Sequence, residues 1–315
     1  GAGLPILPGT GDAGLAGVLA QLDANWLVEK PQLGINNPQP YATWFSLRTE
    51  LFRILSGTEG DAAWRKALRA AVVTDLRTLP DYVRFCSPFQ GAGSLAQKEP
   101  GFVIEFPSTI DFAKNFFGND LSGSDHYYDS SWFATRILSA GVFFENYNAK
   151  LGDSKASGVL GSTPVAYLIP AGQDRMRAPG TDDGEAQTWT VIDQVIPAPY
   201  PVGAAELASS DWFPYEGGET AGADAAARIR RYPSFRAYGG AEPDDAMLDA
   251  VRLTGRSVWN TRWLLIIPAG SLHTDREKAL DAFVNGVDAD RDGTLDVSGV
   301  SDIRIGFKTY SHGGR

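Results

Sequence analysis

Trp263-Leu-Leu-Ile-Ile-Pro268 is the most apolar run of the chain. A short run of this kind, closed by proline, reads as a central β-strand buried on both faces. Downstream, Val300 to Tyr310 places Ile303, Ile305 and Phe307 at period two, the pattern of a half-buried strand. Upstream, Phe102-Val-Ile-Glu-Phe106 lies between Pro100 and Pro107 and reads as another strand. Arg136 to Tyr147, Pro164 to Pro170 and Trp189 to Val195 add three more. Glycine and proline turns separate these strands, and long helices do not. That organisation predicts an antiparallel β-sandwich or jelly roll.

The first part of the chain has a different period. Leu15, Val18, Leu19, Leu22, Trp26 and Leu27 recur at close to helical spacing, and so do Trp44, Leu47, Leu51, Ile54 and Leu55. A third helical stripe, Trp64, Leu68, Ala71, Val72 and Leu76, follows the potential cap Asp61 and runs to Pro80. The expected fold is therefore mainly β with an N-terminal helical part. Residues 1–95 are the helical part, and 96–315 a β-sandwich domain. Its segment 199–222, rich in Pro, Gly, Ala and Glu, is a long surface loop. Asp275 to Val284 reads as a short helix with Ala279, Leu280 and Phe283 inward.

That helix leads into Asp288-Ala-Asp290-Arg-Asp292-Gly293-Thr294-Leu-Asp296. Alternate carboxylates in a tight loop can turn inward together, and a hard cation takes six to eight oxygens. Asp288, Asp290, Asp292, the Thr294 carbonyl and Asp296 are the expected Ca²⁺ ligands, with Gly293 permitting the sharp turn. The twelfth position, where an EF-hand has glutamate, is Gly299. The loop therefore reads as a clamp on a β-hairpin, and not as an EF-hand. Without a cation its four aspartates repel one another.

Composition narrows the function. With 315 residues the chain can bury a large core, and its net charge of −10 argues against binding nucleic acid through phosphates. No apolar run is long enough to span a bilayer. The chain starts Gly-Ala-Gly, as a tag scar or an excised fragment would, and the expectation is a piece of something larger. The single cysteine, Cys86, excludes an intrachain disulfide and reads as a small buried apolar residue. Gly9-Thr-Gly-Asp-Ala-Gly14 matches GxGxxG but lacks the preceding strand and the βαβ unit of a dinucleotide site.

His126, His273 and His312 are the only histidines, and none has metal-ligand spacing. There is no GxSxG elbow to anchor a hydrolytic triad. Glu105, Asp111, Asp129 and Glu145 are carboxylates that would have to face one another to cleave a glycoside. For a ligand, the candidate contacts are His126, Tyr128, Trp212 and Tyr215. Tyr127, Trp132, Tyr147 and Trp189 are further aromatics that read mostly as core.

Several segments together carry a resemblance. They are Leu22-Asp-Ala-Asn-Trp26 with Pro31-Gln-Leu-Gly34, Phe112-Ala-Lys-Asn-Phe-Phe-Gly118, Ser257-Val-Trp-Asn-Thr-Arg-Trp263 through Pro268, and Gly299-Val-Ser-Asp-Ile-Arg304 with Phe307-Lys-Thr-Tyr310. Asp125-His-Tyr-Tyr128 through Ser139-Ala-Gly-Val142 adds to them. This resembles the C-terminal region of large bacterial proteins related to the A component of insecticidal toxin complexes. The resemblance implies a β-rich domain of a pore-forming translocator that assembles with a cocoon-like partner and does no chemistry. The expectation is a non-enzymatic binding or assembly module of a secreted or surface-associated bacterial protein, stabilised by Ca²⁺. Its partners would be other subunits of a large assembly, or a cell-surface receptor or glycan. A glycan-binding module and a hydrolase acting on cell-surface polymer are the alternatives.

Overall fold

A computed structural model describes residues 18–19, 21–26, 39–86, 98–147, 160, 164–177, 186–189, 234–239, 253, 255–273, 275–288, 291–295 and 297–313. The fold is mostly antiparallel β-sheet with a few helices. In chain order the strands are β1 (Gln39–Ser46), β2 (Val72–Val73), β3 (Gly101–Phe106), β4 (Trp132–Glu145), β5 (Val165–Pro170), β6 (Asp174–Arg177), β7 (Ala186–Trp189), β8 (Ser234–Gly239), β9 (Trp263–Pro268), β10 (Gly286–Val287), β11 (Val297–Ser298) and β12 (Asp302–Gly313). The helices are α1 (Thr58–Ala70), α2 (Pro80–Phe85), α3 (Ala269–Leu272) and α4 (Arg276–Asn285), with a π-helical turn at Leu47–Leu51. No helix among the described residues is long and apolar enough to cross a membrane.

Eight strands form one sheet in the order β1-β12-β4-β8-β5-β9-β3-β2, and β10/β11 and β6/β7 are separate two-stranded ribbons. The described strands do not close into a barrel, because β1 and β2 are edges. All pairings are antiparallel except β4 with β8. Strands β12 and β9 stand four places apart in this order. At about 4.8 Å per strand, a flat sheet would hold them about 19 Å apart. Yet the rings of Trp263 on β9 and Phe307 on β12 lie 5.5 Å apart, centroid to centroid. The sheet therefore curls until its two halves face each other. Phe283 of α4 fills the same interior, 4.9 Å from Phe102 on β3 and 5.1 Å from Phe144 on β4.

Strand β9 is buried at all six residues, as its composition predicts. Trp263, Leu265 and Ile267 face the main core. Leu264 and Ile266 face a smaller cluster with Leu76, Tyr82, Cys86, Tyr167 and Ile169. The period-two reading of β12 also holds, with Ile303, Ile305 and Phe307 fully buried and Arg304 and Lys308 less so. The expected strands at 102–106, 136–147 and 164–170 correspond to β3, β4 and β5. Of the expected strand at 189–195 only Trp189, the end of β7, falls within the described residues.

The N-terminal region needs correction. Residues 44–55 are not a helix. β1 runs antiparallel to β12 from Gln39↔Ser311 to Ser46↔Arg304, and the π-helical turn follows. The helical spacing of Trp44 and Leu47 came from two elements laid end to end. The third helix is real but stops at Ala70, and Gly57, not Asp61, is its N-cap. Of the first, residues 18–19 and 21–26 are helical. Phe45, Leu47, Trp64 and Leu68 share one core with β3, β4, β9 and β12, so the sheet and its interior run across residue 95. Trp64 fastens α1 to the start of β12 by donating its Nε1–H to the Val300 carbonyl at 2.8 Å.

Phe307→Ala and Trp263→Ala should each cost about 3–5 kcal/mol, because each leaves a cavity where the halves of the sheet meet. A denaturant midpoint that shifts far less than this would contradict the curled core.

Candidate functional site

The aspartate loop is the turn of a hairpin, as its sequence predicts. Gly286 pairs with Ser298 and Val287 with Val297, so residues 288–296 form the whole connection. Asp288 folds the loop back on itself. Its two carboxyl oxygens accept from the Asp292 N–H at 3.2 Å and the Gly293 N–H at 3.0 Å. Gly293 sits at φ +89, where a side chain is strained, which gives the predicted sharp turn. Asp292 accepts from the Thr294 N–H at 2.8 Å and from its hydroxyl at 2.5 Å. Asp290 and Asp296 lie outside the described residues. Three or more metal-ligating side chains do not cluster anywhere among the described residues.

The structure also explains why the twelfth position is glycine. A Cβ on Gly299 would stand 2.4 Å from the Val284 carbonyl oxygen at the end of α4. The adjacent Val300 N–H donates to the Phe283 carbonyl at 2.9 Å. The chain passes too close to the helix for a glutamate there, so an EF-hand cannot be completed.

His126 has an unforeseen partner. Glu50, 2 % exposed, projects from the π-helical turn. One of its carboxyl oxygens lies 3.0 Å from His126 Nδ1, and the other accepts the His126 backbone N–H at 2.9 Å. The first oxygen also accepts the Ser46 N–H at 2.9 Å. The Glu50 carbonyl accepts from Asn115 Nδ2 at 3.0 Å and Asn119 Nδ2 at 2.8 Å. One residue thus fastens the loop 108–131 to the turn that follows β1. Beside it, Asp302 accepts the Arg48 N–H at 3.0 Å, and Arg48 donates to Ser301 O, Leu55 O and Asp61.

The hydrogen bond to Glu50 raises the His126 pKa above its ordinary value. Burial and the Arg304 charge oppose this, and Asp125 adds to it. The imidazole is half exposed. An acid that orients a histidine supplies two of the three members of a hydrolytic triad. No nucleophile is hydrogen-bonded to the pair among the described residues.

Other sequence candidates fall elsewhere. Tyr128 is core and not a surface contact. It is 3 % exposed, its hydroxyl lies 3.2 Å from Thr309 Oγ1, and its ring meets Trp259 edge-on at 4.6 Å. Burial pushes its pKa up. Trp132 packs against Tyr41 and Tyr128, and Tyr147 is buried near Phe283. Tyr127 is 53 % exposed. Trp212 and Tyr215 lie outside the described residues. The four carboxylates weighed for glycoside cleavage are each engaged locally. Glu105 forks with Arg262, Glu145 meets Arg304 at 3.2 Å, Asp111 accepts from the Thr109 hydroxyl and Asp129 from the Ser131 N–H.

Two buried polar groups escaped the sequence reading altogether. Asp174, 2 % exposed, accepts from Asn260 Nδ2 at 2.8 Å and pairs with Arg256 at 3.1 Å, tying β6 to the segment before β9. Glu99 pairs with Arg276 of α4 at 3.0 Å, and burial pushes its pKa up to about 7 against the pull of that arginine. Only the distance between the partners in sequence hid them. No family model, curated protein or solved structure matches the chain.

His126 sets a pH dependence. Its folded-state pKa is raised above 6.5, so the folded state holds the proton more tightly. The stabilisation is complete below that value and is lost as the pH rises through the folded pKa. The melting temperature of His126→Asn, measured against the parent from about pH 5.5 to about pH 8.5, should show a deficit at the acid end that shrinks toward the alkaline end. A pH-independent difference would show that the Glu50 contact does not depend on the proton.

Proposed function

We propose that the chain is a non-enzymatic binding and assembly module of a large secreted or surface-associated bacterial protein, with Ca²⁺ held by the 288–296 loop. The expected β-sandwich or jelly-roll layering belongs to this proposal. The observation that carries it is how the buried polar side chains are used. Glu50, Asp302, Asp174 and Glu99 each fasten a loop or helix to the curled sheet. That is the economy of a rigid scaffold that presents its loops. The resemblance to toxin-complex A components points the same way. Partners would be other subunits of the assembly or a cell-surface receptor or glycan.

The hairpin position of the aspartate loop supports a structural cation. Asp288 and Gly293 already hold the backbone in a tight turn, and Gly299 rules out the glutamate of a sensor. Loops of extracellular modules bind Ca²⁺ with Kd of about 10⁻⁴–10⁻³ M. At about 2 mM Ca²⁺ the gain is about 1 kcal/mol, or about 2–4 °C in melting temperature. Chelation should remove that gain from the parent and leave Asp288→Asn unchanged. Identical melts with and without chelator would remove the cation from the proposal. The assembly reading itself is tested by sedimentation of the full-length protein, which should run as a multi-chain complex.

A further inference from the structure

Four apolar side chains are exposed on two segments, 52–55 and 112–121, whose neighbours Leu51 and Asn119 are hydrogen-bonded to each other. Phe52 is 37 %, Leu55 75 %, Phe112 85 % and Leu121 40 % exposed. Single exposed apolar residues are ordinary, but the segments that carry these are joined. The Leu121 N–H donates to the Ala113 carbonyl at 3.0 Å, next to Phe112. Arg53, next to Phe52, donates to the Asp120 carbonyl and forks onto Asp125 at 2.6 and 2.8 Å. The two loops therefore form one body, and the Glu50 clasp holds it to β1. Arg53 at φ +59 and Ala113 at φ +58 both adopt the left-handed conformation that side-chain-bearing residues avoid. Such strain persists where the surroundings over-determine it.

The charge around this surface is negative. Its cations are already matched one to one, Arg48 with Asp61, Arg53 with Asp125 and Lys114 with Asp120. Asp111, next to Phe112 in the chain, and Glu59, at the start of α1 after Leu55, are exposed and add negative charge. The whole chain is at −10. Anionic headgroups and the same face of a second copy would both be repelled.

We propose that Phe52, Leu55, Phe112 and Leu121 form a docking surface for a protein partner that offers an apolar groove rimmed by lysine and arginine. This rests on the assembly reading and gives it a location.

β-Cyclodextrin, an apolar cup, is the chemical probe, in cationic amino and anionic carboxymethyl forms. The amino form should bind at least about tenfold more tightly. Its advantage should shrink with salt and vanish in the double variant Leu55→Ser, Phe112→Ser, while Leu138→Ser on β4 keeps it. Equal binding of the two forms, or binding unchanged in the double variant, overturns the proposal. In the full-length protein, photoreactive benzoylphenylalanine at position 112 should cross-link to a protein subunit of the sedimenting complex. Pelleting with phosphatidylcholine vesicles that the double variant loses assigns the surface to lipid and overturns the proposal. A complex that the double variant forms equally well removes this surface and leaves the assembly reading standing. A wild-type protein that sediments alone removes the assembly reading, whatever the cyclodextrins show.

Discussion

The six residues Trp263–Pro268 are buried on both faces, so two apolar layers must meet a single strand. On one side the sheet supplies the layer itself, by curling until β12 reaches β9. On the other side the segment 76–86 supplies it with Leu76, Tyr82 and Cys86. Most of the irregular structure follows from this arrangement. The chain must leave β9 and return to cover it, and each return is a loop whose backbone polar groups need partners.

Some of those partners are backbone groups of neighbouring segments, as where the Thr261 N–H donates to the Gln173 carbonyl at 3.0 Å, and others are side chains. Ser108 accepts the Trp263 indole N–H at 2.9 Å and donates to Val258 O at 2.6 Å, while the Asn260 N–H donates back to it at 2.9 Å. Asn260 in turn accepts from Gly172 N at 3.0 Å and Arg262 N at 2.8 Å. The largest buried ring of β9 is thus fixed by a polar chain that also sets the path of the 256–262 segment. Unmade hydrogen bonds at such depth are costly. Packing and polar satisfaction therefore select the same geometry.

The parts of the fold that were legible in the sequence are those whose signal is local. β9 and β12 declared themselves through composition and period two, α4 through its inward residues, and the hairpin loop through spaced aspartates and Gly293. β1 was misread because its partner, β12, lies at the far end of the chain. Without that partner, Trp44, Leu47 and Leu51 mimic a helix stripe. Glu50 was invisible for the same reason: its partners at Asn115, Asn119 and His126 are fixed by the topology and by nothing in its neighbourhood. Tyr128 looked like a surface aromatic because it follows a polar loop, but the next turn carries it beneath Trp259 and Thr309. Of the candidate site, the hairpin position of the aspartate loop and the sharp turn at Gly293 could be read in advance. The long-range carboxyl contacts could not.

The pairing of β12 also has a temporal side. It lies between β1 and β4, with Gln39 opposite Ser311 and Glu145 opposite Asp302. Every other strand of the sheet is made before it. On the ribosome, β1 and β4 must each wait with an open edge, the configuration that invites mispairing and aggregation. Pairing β12 with β1 also closes the longest loop in the sheet, and such long-range pairing slows folding. For this chain the sheet cannot be completed before β12 exists, and until then β1 and β4 keep the edges that β12 will cover.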